Sequence, residues 1–231
     1  MHSSARDNDL TDPNLESIPP ALGERGFRAS LLLSFRAAIA GVLRTVASQR
    51  NMKVHVLAAL MVLIVGMALP LDLSARIALL FAIAIVFFAE ILNTALEAFV
   101  DLFVRDYHRL AMMAKDAAAA GVLVLAGATV VVLAEILWTR WVLVTSHLDA
   151  VEHAVTFGVP LVLVEATGLF IVRRGAVGVM RIVLSLTLLF PLVRETTDPI
   201  FAIVACVLVL VAAWSRWSFP RFTGRGAPRS M

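Results

Sequence analysis

Residues 88–101 read FAEILNTALEAFVD, and four polar side chains interrupt an otherwise apolar segment there. They are Glu90, Asn93, Glu97 and Asp101. At about 100° per residue, their spacing places all four on one stripe of a helix. An acid at the centre of a membrane-spanning helix costs about 2.5–3.5 kcal/mol on insertion scales. The stripe therefore predicts a polar site on this helix, since simple packing between helices seldom needs so many polar groups.

The chain around this segment is strongly apolar. Of its 231 residues, 60% are hydrophobic and 16% are charged, whereas soluble domains average about 45–50% and about 25%. This composition excludes a soluble domain or a disordered chain and predicts an all-α integral membrane protein. Some of the apolar runs are shorter than the usual ~20 residues, so tilt or local bilayer thinning is expected. We predict six spans, at residues 54–69, 77–99, 117–137, 155–172, 176–193 and 199–214.

Charges at the span ends predict the orientation, because loops rich in Lys and Arg tend to stay in the cytoplasm. Residues 1–26 form a polar tail without the basic start and early apolar core of a signal peptide, so we expect a cytoplasmic N-terminus. Only Arg76, Arg140 and Arg194 then fall outside. The net charge of +3 thus reflects topology, and no nucleic-acid partner is expected. The basic residues that fall inside are Arg105, Arg109, Lys115, Arg173, Arg174, Arg216, Arg221, Arg225 and Arg229.

The segment before the first predicted span has an apolar face. Leu31, Phe35, Ile39, Val42 and Val46 recur at helical spacing, opposite a more polar face. This pattern predicts an N-terminal amphipathic helix. Such a helix could lie on the cytoplasmic leaflet or pack against neighbouring subunits, and the two interpretations are compatible.

Three separate segments bring polar residues to the same cytoplasmic depth. They are the end of the stripe, the loop and helix start at 105–116, and residues 49–55 before the first span. Carboxylates that can hold Mg²⁺ beside basic side chains suit a nucleoside triphosphate from the cytosol. A deeper carboxylate suits deprotonation of a lipid hydroxyl. The chain contains no Gly-rich phosphate loop of the P-loop type.

The segments 89–101, 106–108 and 114–116 read AEILNTALEAFVD, DYH and AKD. They closely resemble the signature of the small bacterial membrane lipid kinases, the diacylglycerol kinase and undecaprenol kinase family, over roughly residues 27–137. The resemblance implies a kinase of the inner membrane that uses ATP and Mg²⁺, acts on a membrane lipid alcohol, and forms homotrimers. Residues 49–55, QRNMKVH, look more like the undecaprenol kinase branch, but both substrates remain open.

The resemblance also implies roles for individual residues. Glu90 corresponds to the general base that takes the proton of the lipid hydroxyl, with Asn93 beside it. Glu97 corresponds to a metal ligand that bridges Mg²⁺ to ATP, and Asp101 to a polar position of the site. The positions that resemble nucleotide contacts are Asp106, Tyr107, His108, Lys115 and Asp116.

Two positions depart from the family pattern. Gln49 occupies the place of a second metal-binding carboxylate; its amide oxygen can ligate Mg²⁺ but supplies no charge. Arg28 is the nearest candidate for an arginine expected near the start of the amphipathic helix. A catalytically weakened relative that acts as a membrane binding or scaffold protein is therefore an alternative. An ion-coupled carrier that uses Glu90 and Glu97 as proton sites is a further alternative.

The second half of the chain extends beyond this resemblance. We divide the sequence into the polar tail 1–26, a kinase domain at 27–140, a transmembrane region at 151–217 and a basic tail at 218–231. No histidine follows His153, which excludes a fused phosphatase with a histidine nucleophile. Glu165 and Arg181 lie inside two consecutive predicted spans, and we expect them to form a buried ion pair.

Overall fold

The computed structural model describes residues 24–104, 106–171, 175–196 and 198–218 of the chain. Every regular element within these ranges is a helix, which confirms the predicted all-α fold. The elements are α1 (Glu24–Ser48), α2 (Arg50–Ala68), α3 (Leu73–Phe103), α4 (Arg109–Thr139), α5 (Trp141–Ser146), α6 (Leu148–Phe170), α7 (Ala176–Glu195) and α8 (Pro199–Ser218).

Most predicted spans correspond to helices that are long and apolar enough to cross a membrane. This holds for α2, α3, α4, α6 and α7, while the apolar part of α8, Pro199–Ser215, is shorter. In the described part of the chain, Ser30–Ser48 of α1 is also long and apolar enough. Leu32, Phe35 and Ile39 form an exposed apolar stripe on α1. Its predicted position on the leaflet surface remains a prediction, since length and composition also suit a crossing helix.

Helices α3 and α4 form an antiparallel pair, and an ion pair connects the two helices at each end. At one end, Arg140 Nη2 lies 2.5 Å from Asp72 Oδ2, and Asp72 Oδ1 accepts a hydrogen bond from the Ala75 N–H at 3.1 Å. At the other end, Lys115 Nζ lies 2.5 Å from Asp101 Oδ1. These contacts fix the register of α3 against α4, and so place the stripe on α3 relative to the start of α4.

The Ala75 N–H, and then the Arg140 guanidinium, hold the pKa of Asp72 below its usual range. A carboxyl group with a lowered pKa in the folded state stabilises the fold above its ordinary value of about 4. This contribution is present at neutral pH, and it is lost only as the pH falls through the lowered pKa.

Helix α2 is the centre of the remaining packing, and it contacts α3, α6, α7 and α8. Close approach to α6 and α8 depends on two glycines. A Cβ atom on Gly158 would lie 2.7 Å from Ile64 Cγ2, and one on Gly66 would lie 2.7 Å from the Phe201 ring. Small residues at such crossings are typical of helix packing in membranes. The C-terminal helices therefore share a core with α2.

The predicted ion pair within the C-terminal helices is confirmed. Arg181 Nη1 on α7 donates to Glu165 Oε2 on α6 at 2.6 Å. Both residues are buried, with exposed fractions of 7% and 1%. Gly168 provides the space, because a Cβ atom at this position would overlap the Arg181 guanidinium. The pair thus joins α6 to α7 inside the apolar layer.

Candidate active site

The predicted polar stripe lies on α3, and its exposure rises along the helix. Glu90 and Asn93 are buried, with exposed fractions of 2% and 5%. Glu97 is half-buried, and the Asp101 side chain is 65% exposed. The four residues therefore form a path of polar groups from the protein interior to its surface.

Buried oxygens of this stripe lack partners. Asn93 Nδ2 donates to Glu97 Oε1 at 2.9 Å, which ties the second and third residues together. Among the described residues, Glu90 Oε2 and Asn93 Oδ1 have no hydrogen-bond partner. A buried acceptor without a partner costs about 1–3 kcal/mol, so native proteins keep few of them. These two oxygens are suited to receive a donor or a cation.

Glu90 faces the beginning of α2. Its carboxylate lies near the Met52 backbone N–H, in the first turn of that helix. The first amides of a helix have no partner within the helix, and the positive end of its dipole favours a carboxylate. Gln49, the residue at the cap position, makes no capping bond with its side chain. This proximity of Glu90 to α2 was not predicted from the sequence, because it depends on how α3 packs against α2.

The predicted nucleotide positions come together at the surface end of the stripe. They line a cavity of about 260 Å³ between the end of α3 and the start of α4. Lys115 is the cation of this cavity among the described residues, and it is bonded to Asp101. Glu90, Asn93, Glu97 and Gln49 do not line it. The residues that do are Val100, Asp101, Val104, Asp106, Tyr107, His108, Ala111, Met112, Lys115 and Asp116.

An apolar groove of about 340 Å³ lies between α2, α3 and α4. It begins close to the buried end of the stripe, because Phe87 is one helical turn before Glu90 and His55 is one turn after Met52. His55 and Thr129 are the polar side chains in its lining, which is otherwise made of aliphatic side chains and Phe87. A groove of this kind suits a hydrocarbon chain with its polar end near Glu90.

Two further predicted site residues, Gln49 and Arg28, lie outside α3 and α4. Gln49 is half-buried at the junction of α1 and α2. Arg28 belongs to α1, but its side chain lies outside what the structure describes, as does the whole of Arg105. Within the described ranges, no three His, Cys, Asp or Glu side chains form a cluster that could hold a metal ion.

These features define an α-helical membrane protein with a polar stripe that runs from the protein interior to a charged cavity at the surface. Residues 36–137 match the family described as prokaryotic diacylglycerol kinase. The matched region contains about half of α1, all of α2 and α3, and α4 up to residue 137. No solved structure matches the chain significantly.

Three relatives show how far the similarity extends. A diacylglycerol kinase of Synechocystis is 44% identical over 104 residues, which are 45% of this chain and 59% of the relative. An undecaprenol kinase of Bacillus subtilis is 41% identical over 93 residues, 40% of this chain and 76% of the relative. A diacylglycerol kinase of Escherichia coli is 33% identical over 84 residues, 36% of this chain and 69% of the relative. The chain belongs to the prokaryotic diacylglycerol kinase family.

Proposed function

We propose that this protein is a lipid kinase of the bacterial inner membrane. It transfers the terminal phosphate of ATP to the hydroxyl of a membrane lipid alcohol, diacylglycerol or undecaprenol, at the cytoplasmic leaflet. The observation that carries this proposal is the stripe on α3. Its buried end lies close to an apolar groove, and its exposed end reaches a charged cavity. The names of the relatives support the same reaction.

We propose a separate task for each end of the stripe. Glu90, buried near the start of α2, takes the proton of the lipid hydroxyl as the hydroxyl oxygen attacks the terminal phosphorus of ATP. The new O–P bond forms as the bond from that phosphorus to the bridging oxygen breaks, and ADP leaves. Lys115, together with Asp106, Tyr107, His108 and Asp116, lines the cavity that would hold the nucleotide.

The donor set of the stripe fits Mg²⁺. Carboxylate and amide oxygens are the ligands that this ion prefers, and the buried Asn93 Oδ1 has no partner among the described residues. Glu97 and Gln49 would hold the ion, with Asn93 orienting Glu97 through its hydrogen bond. When bound, Mg²⁺ neutralises the charge that phosphate transfer spreads over the phosphate oxygens.

A panel of lipid acceptors tests the proposal. The purified full chain in detergent is given ATP and Mg²⁺ with diacylglycerol, with undecaprenol, or with triacylglycerol, which has no free hydroxyl. We expect phosphorylation of at least one alcohol and none of triacylglycerol. Failure with both alcohols would contradict the proposal, and proton-coupled uptake into liposomes without ATP would support an ion-coupled carrier instead.

Gln49→Glu is expected to lower the Mg²⁺ concentration for half-maximal activity by roughly three- to tenfold, because an added ligand charge raises affinity for divalent cations. Asn51→Asp is the matched control, since it adds the same charge at an exposed position two residues away. The measurement is a Mg²⁺ titration of the kinase rate at fixed ATP. An unaltered titration, or the same shift in both variants, would contradict the role of residue 49.

Gln49 also favours a second candidate function, a catalytically weakened relative that acts as a membrane binding or scaffold protein. A neutral residue at this position removes one ligand charge from the site. Binding of ATP with Mg²⁺ to the purified protein, measured by calorimetry, distinguishes the two candidates. Absence of binding would favour the scaffold.

Family resemblance further suggests a homotrimer. In the described part of α4, Val122 is the buried residue, and apolar side chains such as Leu123, Val124 and Val130 are exposed. This face is available to lipid or to a neighbouring subunit. Chemical cross-linking in native membranes is expected to give species up to a trimer.

A further inference from the structure

The C-terminal helices meet the start of α2 in a buried cluster, and Phe87, one helical turn before Glu90 on α3, packs against it. We define this junction cluster as Val46, Met52, Val56, Leu169 and Ala212, all with exposed fractions of 2% or less. The first belongs to the end of α1, the next two to α2, Leu169 to α6, and Ala212 to α8. Met52 thus packs against two residues from outside the family match, Leu169 and Ala212.

A second contact ties α6 to the same turn of α2. Lys53 is buried, with an exposed fraction of 8%, and its Nζ lies 5.8 Å from the centre of the Phe170 ring. A cation at this distance from an aromatic face is attracted to it, most strongly where water is excluded. Phe170 therefore contributes to the position of Lys53, which follows Met52 directly.

We infer that α6 and α8 position the first turn of α2 for catalysis, with Leu169 and Phe170 as positioning residues for Met52 and Lys53. Through the packing of Phe87 on the same cluster, they also position Glu90. This inference rests on the proposed function. Interiors are close-packed, so a cavity at Leu169 would let the start of α2 shift. A misplacement of about 1 Å in a catalytic group can cost about a hundredfold in rate. The C-terminal helices are then a part of the kinase site.

Two leucines on α6 provide a matched test. Leu169 and Leu161 both have an exposed fraction of 0%, but Leu161 belongs to a different buried cluster, about 12 Å away along the helix. Leu169→Ala and Leu161→Ala are expected to lower the thermal midpoint to a similar extent. At temperatures where both are folded, Leu169→Ala should lower kcat roughly ten- to a hundredfold. Leu161→Ala should leave kcat unchanged. Leu169→Met should retain most of the wild-type kcat, because methionine has nearly the volume of leucine.

A second readout does not depend on catalysis. Dicyclohexylcarbodiimide modifies carboxyl groups within membranes, and mass spectrometry of peptides reports the rate at Glu90 separately from Glu165. We expect Leu169→Ala to change the rate of modification at Glu90 several-fold and Leu161→Ala to leave this rate unchanged.

Equal effects of the two variants on both kcat and the modification rate at Glu90 would overturn the inference. An inactive wild type would contradict the proposed kinase, while the labelling rates would still decide whether Leu169 positions Glu90. If the alanine variants do not fold, Leu169→Val and Leu161→Val give the same comparison.

Discussion

Glu90→Gln is expected to lower the rate of lipid phosphorylation by about 10²- to 10⁴-fold, the usual contribution of a general base, while the protein still folds. Glutamine has nearly the same shape and volume as glutamate, so the packing of α3 against α2 is retained. The variant loses the carboxylate that takes the proton. The measurement is kcat with saturating ATP and lipid, together with the thermal midpoint in detergent.

Glu135→Gln is the matched control for this variant, because Glu135 is exposed on α4, within the same part of the chain. We expect wild-type rates from it. Retention of activity in Glu90→Gln would remove Glu90 as the base. A comparable loss in the control would show that the assay reports damage to the protein and not chemistry at Glu90.

Separation of the buried ion pair is expected to have the largest effect on stability. Glu165→Gln leaves Arg181 buried without its charge partner. Arg181→Met likewise leaves Glu165 buried without its charge partner. Removal of one partner of a buried pair costs about 3–5 kcal/mol, whereas replacement of both is often close to neutral. The double variant should therefore be more stable than either single variant. Chemical unfolding in mixed micelles measures these free energies.

The exposed Arg194, on the same helix as Arg181, provides the control. Arg194→Met should change the free energy of unfolding by less than about 0.5 kcal/mol. Additive losses in the double variant would show that Glu165 and Arg181 do not depend on each other. A loss of kinase activity in the single variants at temperatures where they are folded would instead indicate that this pair also supports the site.

Features that depend on a single helix, or on two consecutive helices, were predicted correctly from the sequence. The stripe on α3 follows from helical periodicity, and the confirmed Glu165–Arg181 pair follows from two charges in neighbouring spans. The grouping of Asp106, Tyr107, His108, Lys115 and Asp116 in one cavity follows from the short connection between α3 and α4. In each case the contact is local along the chain.

Contacts between distant helices were not predictable in the same way. The junction cluster joins residues more than a hundred positions apart, and Leu169 looks like any other leucine of an apolar run. The contact of Glu90 with the start of α2 requires the packing of α3 against α2, which periodicity does not specify. The position of α1 also could not be assigned, since its composition suits both a surface helix and a crossing helix.

Transfer of the terminal phosphate of radiolabelled ATP to a lipid alcohol tests the central claim most directly. Purified wild-type protein and Glu90→Gln are incubated side by side with Mg²⁺ and with diacylglycerol or undecaprenol, and the lipid phase is counted. The proposed function predicts labelled lipid phosphate from the wild type and almost none from the variant. No labelled lipid from the wild type with either alcohol, although ATP and Mg²⁺ are present, would contradict the account.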